Sequence, residues 1–328
     1  SIPTMSHMRL FNYILALLAV ILVQSYNAQK DPCYKKKKIC NFQYLTNCYE
    51  KVAFDSITQR YYSRKNFGVP FDGSCATCHR NGVVEQEMTF VEGRRNGTDT
   101  SYYPSGCPFS SQSFLLGNPH GKSTTYFDSS FRVKTEIEHY MGRVHGSYIE
   151  YDAAGDTIKF QDFADNLPNG VKKEYFSKSK IKKISHYQNG LLHGCQIRFA
   201  ENGNKELAIS YYEGKKDGDW TYYFDNQKIA RSEQWDKGIK DGAFKTFSGM
   251  DKLISEQYYK KGKTIGIHKE YYQDGREKHV RMFSKKGLLE EEYAFDDYGV
   301  KQVIKQRETK AMKKKKKKAK EKDNSLMN

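Results

Sequence analysis

The feature that most constrains this chain is a glycine recurring at a nearly fixed interval. Gly73, Gly97, Gly121, Gly146, Gly170, Gly194, Gly218, Gly242 and Gly266 are separated by 24 residues, except for one interval of 25. A second series runs four residues ahead of the later members: Gly93, Gly117, Gly142, Asn166, Gly190, Gly214, Gly238 and Gly262. Its one departure is Asn, the other residue that tolerates positive φ. Such self-similarity marks a repeat architecture, in which no single unit can bury its apolar face alone.

Aromatic residues keep the same period. Five places after the glycines come Cys78, Tyr102, Tyr126, Tyr151, Tyr175, Phe199, Tyr223, Phe247 and Tyr271. Seventeen places after come Phe90, Phe114, Phe163, Tyr187, Tyr211, Trp235, Tyr259 and Phe283, with Tyr140 displaced to the nineteenth place in the longer unit. Turn signals such as Asn81-Gly82, Asn202-Gly203 and Asp274-Gly275 fall near the ninth place. The pattern predicts strand, tight turn, strand and a glycine-bounded loop. A lone hairpin is marginal in water, so about nine of them stack, pairing edges and aligning their rings. The expected fold is all-β: an elongated stack of tandem 24-residue hairpins over 73–287. A Cys-containing cap over 30–72 precedes it, a closing hairpin over 288–300 follows, and a disordered Lys-rich tail occupies 301–328.

The unit resembles the MORN repeat, whose pattern is G-x-W-x-x-Y, a turn, and a second strand ending in Y-x-x-G. Gly218-Asp219-Trp220-Thr221-Tyr222-Tyr223, closed by Trp235 and Gly238, is the nearest match. The aromatic-rich form is similar to the exported bacterial YwqK-like branch, labelled as antitoxins. That resemblance implies a non-enzymatic protein-interaction or scaffold module, in its specific form one that neutralises a toxin.

Net charge is +16, a value that usually points to nucleic acid. Its distribution argues otherwise for the repeats. Residues 301–328 hold 12 Lys/Arg against 3 Asp/Glu, and Lys30 to Lys38 hold five Lys and one Asp. Residues 39–300 are close to neutral at +2. A binder of anionic envelope polymer or nucleic acid, acting through the Lys-rich ends, is therefore a rival reading that leaves the repeat body out.

Arg9 followed by the apolar run Leu10 to Val23 has the form of a signal peptide over 1–29, with cleavage near Ala28 and no membrane anchor left afterwards. The expected location is the periplasm, outer envelope or extracellular space. Seven cysteines suit that setting. Cys33, Cys40, Cys48, Cys75, Cys78 and Cys107 are disulfide candidates with 15 possible pairings, and Cys195 is expected to be a lone thiol.

Cys75-Ala76-Thr77-Cys78-His79 also reads as a c-type haem attachment signature, a further rival. Against it, Cys78 and His79 sit in register with the aromatic strand positions of later units. Neither a metal nor another cofactor is expected, and no nucleophile elbow, phosphate loop or zinc-protease motif occurs. Binding is assigned to the chemically varied column two places after each glycine, with Tyr148, Trp220 and Phe244 as hot-spot candidates. The partner is an unidentified protein or envelope component. The alternative for these rings is a place in the core.

Overall fold

The computed structural model describes Cys33 and residues 37–66, 68–177 and 180–305. The expected signal peptide, the first basic cluster apart from Lys37 and Lys38, and the Lys-rich tail after residue 305 lie outside the described residues. The chain divides into two compact units, Ser1–Ser179 and Lys180–Asn328.

Both units are built from antiparallel strands, each paired with its neighbours in sequence. Residues 73–287 contain eighteen longer strands and four of two residues. The two reversals in each period are of different kinds. At the second glycine series the turn has two residues: Lys237 (φ 47°) and Gly238 (φ 89°) lie between the paired Asp236 and Ile239. Positive φ at both central residues defines the tight turn whose twist matches that of the strands. Glu92, Leu116, Met141, Asp165, Asn189, Glu213 and Lys261 occupy the first of these positions in the other units, all at φ 46–49°.

The Asn-Gly-type signals instead form a longer turn. Gly82 N–H donates to the His79 carbonyl (3.0 Å) and His79 N–H to that of Val83 (2.8 Å). The tight turn therefore sits where the sequence suggested a loop. The rest of that loop is strand, kinked by a bulge at the repeat glycine: Ile209 pairs with Trp220, and the next pair is Tyr211 with Lys216. At eight repeat glycines, Gly97 to Gly266, the strand carries this bulge or a short break, and all of them have positive φ.

Across the other edge seven repeat glycines face the aromatic seventeen places on, while Gly121, in the longer unit, faces His139. Gly218 opposes Trp235, Gly242 opposes Tyr259 and Gly266 opposes Phe283. A Cβ built at Gly218 would meet Ser210, at Gly242 Gln234 and at Gly266 nothing, so these glycines answer to their positive φ and not to the opposing rings.

In the first unit a cap closes the edge of the first repeat. Ala76 N–H donates to the Thr46 carbonyl (2.8 Å), beside a parallel bridge between Asn47 and Ala76. Asn47 caps the four-residue helix Cys48–Lys51 by accepting from Tyr49 N–H (3.0 Å). A hairpin of Val52–Asp55 and Arg60–Ser63 follows. Cys48, Val52, Cys75, Met88 and Phe90 form the core there, with Tyr61 and Phe71 packed on it.

The sheet of the second unit ends later than the sequence suggested. Leu289–Phe295 pairs with Lys301–Lys305, so the first five residues assigned to the tail are strand. Two contacts account for this: Lys301 lies over the Tyr293 ring at 3.6 Å, and Gly299 (φ 82°) closes a turn onto Asp296.

Candidate interaction surface

Trp220 and Phe244 do not stand on an open recognition column. They are 6% exposed and belong to a ladder within the second unit. The rings run Tyr211–Trp220 (5.4 Å), Trp220–Trp235 (6.2 Å), Trp235–Phe244 (5.5 Å), Phe244–Tyr259 (4.9 Å), Tyr259–His268 (5.7 Å) and His268–Phe283 (4.7 Å). The second and seventeenth positions interleave because both lie on one face as diagonal neighbours: Trp220 pairs with Glu233, two places from Trp235, and Phe244 with Gln257, two places from Tyr259. The Trp220 indole N–H is also consumed, donating to the Ser210 carbonyl at 2.8 Å. These two rings are core.

Lysines two places before the repeat glycine clip the ladder. Lys216 Nζ lies 4.1 Å from the Trp220 ring centre and 4.2 Å from that of Trp235, and Lys240 sits similarly against Phe244 and Tyr259 (4.9 and 4.7 Å). Glu233 is buried beneath, accepting from Trp235 Nε1 at 2.8 Å and paired with Arg231. Tyr148, in the first unit, is half-buried. Its hydroxyl donates to Glu150 (3.1 Å), Lys159 lies over its ring at 4.9 Å, and it shares no ladder with the other two candidates.

The six cysteine candidates form three disulfides: Cys33–Cys107, Cys40–Cys78 and Cys48–Cys75, with Cα separations of 5.0, 6.2 and 5.1 Å. Every bridge ties the cap to the first repeats. Cys195 is free and exposed. Disulfides of this number belong to an oxidising environment. The haem reading fails on the same observation, since Cys75 and Cys78 are both spent and on different partners. His79 is engaged as well, its Nε2 2.8 Å from the Tyr102 carbonyl.

Two hollows open beside this clamped cap, both over the strands Gly73–Cys78, Val84–Val91 and Gly97–Tyr102. The smaller, about 300 Å³, is rich in hydroxyls, among them Ser74, Thr89, Thr98 and Thr100. The larger, about 450 Å³, has aromatic walls from Tyr49, Tyr102, Tyr103 and Phe109, with His79, Glu85 and Gln86 between them. Tyr103 and Phe109 meet edge to face at 5.2 Å.

Hydrogen bonds hold these walls. Tyr102 Oη donates to Glu87 (2.8 Å), Glu87 is paired with Lys38 of the cap (2.5 Å), and Asn81 Nδ2 donates to the Pro104 carbonyl (2.8 Å). Burial is the largest influence on the Tyr102 phenol and, with Glu87 beside it, pushes its pKa up, so it remains a donor at neutral pH. The sequence marked the cysteines and Tyr102 but not the hollows. Tyr49, Glu85 and Phe109 occupy no repeated position, so no periodic signal set them apart.

The fold and clamp define a class: an all-β repeat protein with a disulfide-pinned N-terminal cap. Among the described residues no helix is long and apolar enough to cross a membrane. No protein-family model matches the chain, and no curated protein matches it. Among solved structures, the chain is similar at 11% identity to the Photorhabdus luminescens Tc holotoxin pore with a mutated TccC3, over 70% of its own length and 18% of that chain, with a TM-score of 0.12. TcdB2-TccC3-Cdc42 matches at 10% identity over 72% of this chain and 18% of that one, again at a TM-score of 0.12. The chain spans under a fifth of the length of either. Likeness at this level carries no weight for fold or function.

Proposed function

We propose that this chain is an exported, non-enzymatic interaction module of the MORN-repeat kind, and that it binds its partner at the clamped N-terminal end. One observation carries the reading: the hollow of about 450 Å³ is walled by exposed aromatic side chains and braced by disulfides on adjoining residues. A site held rigid before binding loses little freedom when it is filled. The apolar stretch Leu10 to Val23 and the three disulfides support export. The match of Gly218 to Tyr223 with G-x-W-x-x-Y supports the repeat family.

The ladder rings are spent on stacking, whereas at the N-terminal end Tyr49 and Phe109 face solvent around a cavity. The test is retention of envelope material by the immobilised, disulfide-intact protein, compared with a Tyr49→Ala/Phe109→Ala variant. Retention by the parent and loss in the variant is expected. Equal retention by both overturns the siting, and no retention by either overturns the interaction reading.

A further inference from the structure

The cavity's chemistry specifies a ligand class. Its side chains include one carboxylate, Glu85, and neither lysine nor arginine, in a chain of net charge +16. An anionic polymer is bound chiefly through cations that neutralise its charges, and the nearest one, Lys38 over the Tyr102 ring at 5.4 Å, is already paired with Glu87. A cationic ligand would meet a single acid. The lining selects a neutral ligand.

It also selects the ligand's hydrogen-bonding character. The Glu85 carboxylate only accepts, and the Gln86 amide both accepts and donates. His79 Nε2 is held at the Tyr102 carbonyl, leaving its other ring nitrogen as the variable group. Thr77 and Ser101 add hydroxyls that both donate and accept, so donors and acceptors stand together between aromatic faces, an arrangement that suits a ligand rich in hydroxyls with apolar C–H faces to lay against rings.

The rings are placed for such stacking. Tyr49 is 67% exposed and Phe109 48%, values that make sense for side chains awaiting a flat apolar partner. Tyr103 packs edge-on against Phe109 at 76°, fixing that ring as one wall of a corner. The volume lies within the range of about 300–1,000 Å³ typical of small-ligand sites. From these observations we infer that the cavity between the cap and the first two repeats binds a neutral saccharide segment, its ring faces on Tyr49 and Phe109 and its hydroxyls on Glu85 and Gln86. This rests on the interaction reading above and names its ligand.

The experiment is isothermal titration calorimetry of the full, oxidised chain with cellohexaose, maltohexaose and the hexasaccharide of N-acetylglucosamine. Heparin and a proline-rich decapeptide serve as the anionic and peptidic comparisons. At least one neutral hexasaccharide is expected to bind with a Kd below about 1 mM. Phe109→Ala and Tyr49→Ala should each weaken it by about tenfold without moving the thermal midpoint. Glu85→Gln, which keeps the side chain's shape, should weaken it too, and guards against a truncation that disturbs folding.

The inference is overturned if none of the three hexasaccharides binds, if binding survives in the Tyr49→Ala/Phe109→Ala variant, or if only heparin binds. Binding of the decapeptide alone, lost in Phe109→Ala, also overturns it while leaving the interaction reading standing. Silence from every probe, together with no retention of envelope material, removes both.

Discussion

At the scale of single residues, the ring ladder makes firm demands. Trp220→Ala removes a ring stacked on two others and an indole N–H that satisfies the Ser210 carbonyl. We expect a loss of about 3–5 kcal/mol, measured by denaturant unfolding, from the cavity and the lost contacts. A loss under about 1 kcal/mol would mean the ladder is not core. His268 takes an aromatic place in the same ladder, its Nε2 2.9 Å from the Tyr258 carbonyl and 3.0 Å from the Tyr258 amide nitrogen. Burial, with a smaller push from Arg281, holds its pKa below the ordinary 6.5, and the bonds to Tyr258 oppose this only in part. The unfolded chain therefore takes up the proton first. The stability His268 contributes is complete above pH 6.5 and is lost as pH falls through the lower folded value. Between about pH 7 and pH 5 the thermal midpoint should fall more for the parent than for His268→Phe. Equal slopes would show that His268 does not carry the effect.

At the scale of the element, the two turn types separate two uses of glycine. Gly93 and Gly238 occupy the same place in the same two-residue turn. At Gly238 a Cβ would meet only the Lys215 Cβ at 3.8 Å, whereas at Gly93 it would come within 2.5 Å of the Tyr61 carbonyl oxygen. Both Ala variants bear the cost of positive φ, about 1–3 kcal/mol. Gly93→Ala should lose more in an unfolding titration, because the cap hairpin must shift, and equal losses would show that the cap does not press on this turn. Sequence periodicity located both glycine series and the strands between them, since period and ring placement are properties of spacing. It misplaced the tight turn because that turn depends on positive φ at Glu92, Leu116 or Lys237, residue types that carry no such signal. It left Trp220 and Phe244 undecided for a related reason. A column of mixed residue types reads as recognition, although here Trp220, Phe244 and His268 fill one aromatic slot with three chemistries. The hollows beside the cap were out of reach, because Tyr49 comes near Phe109 only through cysteine pairings that spacing leaves open.

Across the whole molecule, covalent bracing is confined to one unit. All three disulfides lie in Ser1–Ser179, and Lys180–Asn328 holds only the free Cys195. Repeat proteins gain stability from intrinsic and nearest-neighbour contributions, so the units can melt separately when one is weakened. In Trp220→Ala we expect two calorimetric transitions. A reductant should lower the disulfide-bearing one by the equivalent of about 2–4 kcal/mol per bridge and leave the other in place. A single transition that moves as a whole would show the two units to be one cooperative body. The pairing of Gly218, Gly242 and Gly266 with the rings seventeen places on has a consequence for descent. Each period carries its own register, so a copy can be gained or lost without misaligning its neighbours. Removing the 24 residues from Gly218 to Asp241 would bring Tyr211 next to Phe244, aromatic beside aromatic, with the glycines still in phase. Genes of this kind can lengthen and shorten by whole periods through unequal recombination, while the cysteine-bearing end, whose three pairings cross several elements, is held to one size.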